Sequence, residues 1–147
     1  MNIFNPEDRR LLTGRVEALG PNAPRLWGSM TLPQALAHLA LQLELALGEI
    51  AAVQPIRTPA RWPVVRHWVI HFLPWPRGLP TAPALLESSA AELDLERERL
   101  LTRIDSVVKR GPEVSWAEHP AFGRISGRDW GVLMARHMDH HLRQFSA

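Results

Sequence analysis

Cysteine and tyrosine are both absent from the 147 residues. Without cysteine there can be no disulfide, no thiolate metal ligand and no thiol nucleophile carried by the chain itself. Without tyrosine no phenol can serve as acid, base or nucleophile. Lysine is almost missing too: of 17 basic residues only Lys109 is not an arginine, and 15 acids hold the formal net charge to +2. Arginines alternate with acids along Leu93-Asp-Leu-Glu-Arg-Glu-Arg99. That is the pattern of a solvated helix face rather than a phosphate-binding stripe, and it argues against a nucleic-acid partner. No apolar run approaches the roughly 20 residues that span a bilayer, so no membrane partner is expected. The first ten residues carry acids and lack the apolar centre of a secretory signal. The expected location is therefore the cytoplasm.

What is present suits one globular domain over residues 1–147, with 46% hydrophobic and 22% charged residues. Asn5-Pro-Glu-Asp8 reads as a helix start, continued by Leu11, Leu12, Val16 and Leu19 and stopped at Gly20-Pro21. Thr31-Leu-Pro-Gln34 reads as a capping box opening a second helix that ends near Leu47, with Gly48 as its cap. This helix is apolar nearly all round, which predicts a central position. Its exceptions include Gln34, His38 and Gln42, a polar line at intervals of four. Residues 54–83 hold seven of the 13 prolines. They predict a long crossover with a short helical piece around Val64 to Phe72. A third long helix is expected from Ala82-Pro83 to about Arg110, and a last one after Ser126. No strand pattern is evident. The fold class expected is all-α, a four-helix bundle with a proline-rich crossover between the second and third long helices.

The chemistry lies in the histidines. His137 and His141 are four apart, one turn above each other, on the face that carries Trp130, Leu133 and Met134. Two imidazoles so placed can grip one metal ion. The alternative is a pair of hydrogen-bonded histidines near a frayed helix end. His140 groups instead with Arg136, Asp139 and Arg143 and is expected beside the site or at the surface. His38 alone would be read as a core histidine bonded to a carbonyl. The pair on another central helix raises the expectation that it is a ligand. Gln34 and Gln42 could orient His38 or line a pocket, or form only a polar seam facing water. With Trp130 they make the candidate substrate-binding set. His67 and His71 are a second pair spaced by four, but in a proline-punctuated segment expected at the periphery. His119, before Pro120, is expected to cap a helix end or line a pocket mouth. Residue 138 is methionine, so the zinc-protease motif with glutamate after the first histidine is absent. No glycine-rich phosphate loop, nucleophile elbow or dinucleotide fingerprint occurs.

Trp27-Gly-Ser-Met-Thr-Leu-Pro-Gln-Ala-Leu-Ala-His38 resembles the start of the second helix in the DinB/YfiT-like superfamily. His119-Pro-Ala-Phe-Gly123, Trp130-Gly131 and His137-Met-Asp-His-His-Leu-Arg-Gln-Phe145 resemble one branch of it, of unassigned function, as do Pro74-Trp-Pro-Arg-Gly78 and Thr81-Ala-Pro83. The resemblance implies a four-helix bundle with a metal held by His38, His137 and His141. It also implies a frequent homodimer and relatives that activate a low-molecular-weight thiol at the metal.

The function expected is that of a metal-dependent transferase or hydrolase acting on a small-molecule substrate. A divalent ion (zinc, nickel, iron or manganese) would be its cofactor, and a small thiol a further one, because the chain has no sulfur nucleophile of its own. The alternatives are a non-catalytic ligand-binding bundle and a structural one.

Overall fold

A computed structural model describes residues 1–51, 54–75, 77 and 92–146. Five α-helices are found there: α1 (Pro6–Ala18), α2 (Leu32–Leu47), α3 (Pro63–His71), α4 (Leu93–Arg110) and α5 (Gly127–Leu142). Among the described residues there is no strand, only an isolated bridge between His119 and Gly123. No described helix is long and apolar enough to cross a membrane.

The helix ends follow local chemistry. The Asn5 side chain accepts from the backbone N–H groups of Glu7 and Asp8. Thr31 and Gln34 cap each other reciprocally. Gly48 ends α2 in the left-handed region at φ 77°, where its N–H reaches back to α2 carbonyls. Ser126 accepts from the Asp129 N–H at the head of α5. The third long helix is shorter than expected: it begins at Leu93, because Glu92 before it is extended at φ −131° and ψ 126° and ends the helical run there, while Ala82-Pro83 lies outside the described residues.

Helices α1, α2, α4 and α5 form the bundle, and α3 lies across α5 as part of the crossover. One core runs from Ile3 to Phe145 and draws on all five helices. Helix α2 is its centre: 13 of its 16 residues are buried, which is why its sequence is apolar all round. On one side the carboxylate of Glu44 receives Arg99 at 2.8–2.9 Å and Arg103 at 3.1 Å from α4. Further on, Arg110 bonds the Leu47 carbonyl. These contacts advance together along both helices, so α2 and α4 run in the same direction. Parallel neighbours need a long connection, and the proline-rich crossover supplies it. On its other side α2 runs antiparallel to α5.

Arg136 of α5 fastens the crossover. Its guanidinium donates to the carbonyls of Val69, Ile70 and Leu73 at the end of α3. Trp75 is thereby held 5.6 Å from that guanidinium, and its indole N–H returns to the Val69 carbonyl.

Candidate metal centre

His38 comes from the second turn of α2 and His137 and His141 from the last turns of α5, and the antiparallel packing brings them together. The Nε2 atoms of His38 and His137 are 3.1 Å apart, and those of His141 and His137 3.0 Å. All three rings are buried, with exposures of 3%, 8% and 9% for His38, His137 and His141. Their possible ligand atoms lie within 4.8 Å of one another, and among the described residues this is the one such group of three.

The surroundings test whether a metal fits. The His137 Nδ1–H donates to Gln42 Oε1, and the His141 Nδ1–H donates to Gln144 Oε1 at 2.6 Å. An amide oxygen can only accept, so each ring carries its proton on Nδ1. Both Nε2 lone pairs then face each other across 3.0 Å, which is repulsive unless a cation lies between them. Two nitrogens each about 2 Å from one ion must themselves lie within about 4 Å, so these spacings suit shared ligation. Burial, followed by the neighbouring His141 and His38, holds His137 well below the usual histidine range. Burial and His38 push His141 down to about 3, with the Gln144 hydrogen bond opposing. Neutral rings are the form that ligates a metal.

The sequence leaves Gln42 to orient His38, to line a pocket or to face water. The ring that its amide oxygen meets is that of His137 rather than His38, because α2 runs antiparallel to α5 and a position one turn further along α2 faces one earlier on α5. Gln34 spends its side-chain oxygen on the Thr31 N–H. Trp130 is fully buried and donates its indole N–H to the Ala117 carbonyl at 3.2 Å. The aromatic groups nearest the centre are others. Trp75 lies 5.6 Å from the His137 ring, and His140, half-buried, stands edge-on to Trp27 at 4.8 Å. Arg77 covers the other indole at 5.2 Å from the Trp27 ring. Asp139 faces away from the centre and pairs with Arg15 at 2.7 Å and Arg143 at 2.9 Å.

Gln144 was not singled out from the sequence. It follows α5 in a single 3-10 turn, Arg143–Phe145, that carries its side chain back beneath His141. The available signal was its position three residues after a candidate ligand. The turn before α2 makes room for it. Gly28 has φ 78°, and a Cβ there would stand 2.5 Å from Gln144 Nε2. The backbone carbonyl of Gln144 also accepts from the Leu26 N–H at 2.7 Å.

The remaining histidines sit apart. His71 bonds Asp129 at 2.8 Å and stacks near His67, which is exposed on α3. His119 accepts the N–H groups of Ala121 and Phe122 on Nδ1, so it ties its own turn together. It also borders a cavity of about 420 Å³ with Leu45, Gly48 and Arg61. Burial pushes its pKa down to about 3.

No curated protein and no solved structure matches the chain. A family described as "Protein of unknown function (DUF1569)" matches residues 10–147, a span that contains all three converging histidines and both glutamines behind them. The chain belongs to this DUF1569 family.

Proposed function

We propose that the protein is a metal-dependent enzyme of the DinB/YfiT-like superfamily, with His38, His137 and His141 holding one divalent ion. The single observation that carries this is the meeting of three buried Nε2 atoms, two with their lone pairs aimed inward by amide acceptors.

The chemistry such an ion supplies is acidification of a water or thiol that joins it, with polarisation of a substrate oxygen. The chain's own residues do the rest. His38, His137 and His141 would hold the ion, and three ligands are fewer than a divalent ion takes, so a water or thiol would complete its coordination. Trp75 gives that region a flat apolar wall 5.6 Å from the His137 ring, and Trp27 stands behind it against His140. No carboxylate among the described residues is placed beside the three rings as a general base. An attacking sulfur would have to come from a small thiol, which favours a thiol-dependent transferase over other group transfers. A hydrolase that uses water follows the same logic.

Elemental analysis of protein purified without a histidine tag tests the site. About one divalent ion per chain is expected, and it should be lost in His38→Ala. Thiol consumption with an electrophile panel then tests the activity. Metal bound without any thiol or ester turnover would leave a binding module.

A further inference from the structure

We infer that the cavity between the end of α2 and the turn His119–Gly123 is a binding site for a monocarboxylate with a short apolar tail. The site stands apart from the three converging histidines and does not depend on a metal there.

The turn His119-Pro-Ala-Phe-Gly123 closes on itself. The backbones of His119 and Gly123 exchange hydrogen bonds at 2.9 and 2.8 Å. Within it, His119 Nδ1 accepts the N–H groups of Ala121 and Phe122 at 3.1 and 3.3 Å. A ring nitrogen that accepts carries no proton, so this imidazole is neutral with its proton on Nε2. Among the described residues that Nε2–H meets no acceptor, and yet no buried side-chain nitrogen there is left without a partner. The Nε2 edge is therefore open, and the space that His119 borders is the cavity of about 420 Å³.

Three segments frame that space and are pinned to one another. The Ala117 N–H bonds the Ala46 carbonyl at the end of α2. The Pro120 carbonyl accepts both the Ile56 N–H and Arg61 Nη1 at 3.0 Å. Gly123, at φ 70°, lets the guanidinium lie close, since a Cβ there would stand 3.2 Å from Arg61 Nη2. Arg61 pairs with no carboxylate among the described residues, and most of its five N–H donors remain available. Glu118 is the one carboxylate on the lining; it is 56% exposed and reaches Arg124 at 3.5 Å.

The cavity thus offers one cation and one fixed neutral donor, His119 Nε2–H. Leu45, Ile50, Pro55 and Pro120 give it apolar walls. A carboxylate accepts from both donors, and bonds to an ionised partner are the strong ones. A single guanidinium balances a monoanion, and the walls shelter a hydrocarbon tail.

The test is titration of the full chain with sodium hexanoate, read by nuclear magnetic resonance at the His119 ring N–H and the Gly48 and Ala117 amides. A Kd of about 1 mM or tighter is expected. Hexanamide keeps the tail and loses the charge, and should bind about tenfold more weakly. Acetate keeps the charge and loses the tail, and should also bind about tenfold more weakly or worse. Arg61→Gln should weaken hexanoate about tenfold and leave hexanamide unchanged, a split that mere loss of packing would not produce. If Arg61→Gln does not fold, the ratio of hexanoate to hexanamide affinity in the wild type reads the same charge. Added Zn²⁺ should leave the hexanoate affinity unchanged. The inference is overturned if hexanoate at about 30 mM moves none of these resonances, or if it binds no better than hexanamide or acetate. Binding that appears only with zinc would also overturn it, by moving the anion to the three histidines.

Discussion

Two histidine pairs in this chain have the same spacing on a helix and opposite fates. His137 and His141 sit in the last turns of α5, buried, each backed by an amide and faced by His38 from another helix. His67 and His71 sit on α3, beside Trp68 and Phe72, which are 53% and 61% exposed. One of that pair is engaged by Asp129 and neither meets a third ligand among the described residues. The interval of four therefore says only that two rings share a face. What separates a buried cluster able to hold a metal from a surface pair is what that face is packed against.

The sharpest way to break this contrast is to remove one histidine from each region. His137→Ala should take metal content from about one ion per chain to near zero, because two neutral nitrogens hold a divalent ion poorly. His67→Ala should leave it unchanged, as read by elemental analysis. Equal losses would mean that the two pairs had been ranked wrongly.

Acid should distinguish the half-buried His119 from an exposed histidine without any metal. His119, with a pKa of about 3 when folded, stays neutral while the unfolded chain protonates near pH 6.5. The unfolded state thus binds more protons below that pH, and stability falls as pH drops, by about 1.4 kcal/mol per pH unit for this one group. The loss ends near the folded pKa. His119→Gln should flatten the slope of urea-unfolding free energy between about pH 6 and pH 4.

Gly28→Ala perturbs the buried region from a distance. It places a side chain at positive φ and against the Gln144 amide, with an expected cost of about 1–2 kcal/mol in denaturant unfolding. It should also weaken zinc binding, which a change at an ordinary turn glycine would not do. The smallest effect belongs to the other pair. His71→Ala removes a half-exposed bond to Asp129 and should cost only about 0.5 kcal/mol. A thermal-unfolding shift much larger than that would promote α3 from a periphery to a structural keystone.

Much of the architecture was readable because helix ends are local chemistry. Asn5, Thr31 with Gln34, Gly48 and Ser126 each satisfy or release backbone groups within four residues, so their neighbours in sequence suffice to identify them. The convergence of His38 with the late pair was readable for another reason: a histidine on a helix apolar all round has few places to point except inward. The partners of those rings were less accessible. Whether Gln42 serves His38 or His137 depends on the relative direction and stagger of α2 and α5, a long-range quantity that periodicity does not carry. Gln144 was hidden by a change of helical type, since the 3-10 turn moves its side chain off the α-helical face count. Trp75, which walls the centre, depends on Arg136 gathering three carbonyls from α3, a tertiary clamp with no local signature.

Helix α2 carries a consequence of its own. Its Glu44 is gripped by two arginines of α4, while His38 and Gln42 address α5, so a single rod is engaged from opposite flanks. One extra residue inserted between positions 38 and 44 would turn the imidazole by about 100° and shift it about 1.5 Å relative to the arginine grip. Either the ion pairs or the donor triangle could then be satisfied, but not both. The clamp on one flank is in effect the gauge against which the other flank is cut, and changes to this helix will be tolerated by substitution far more readily than by insertion.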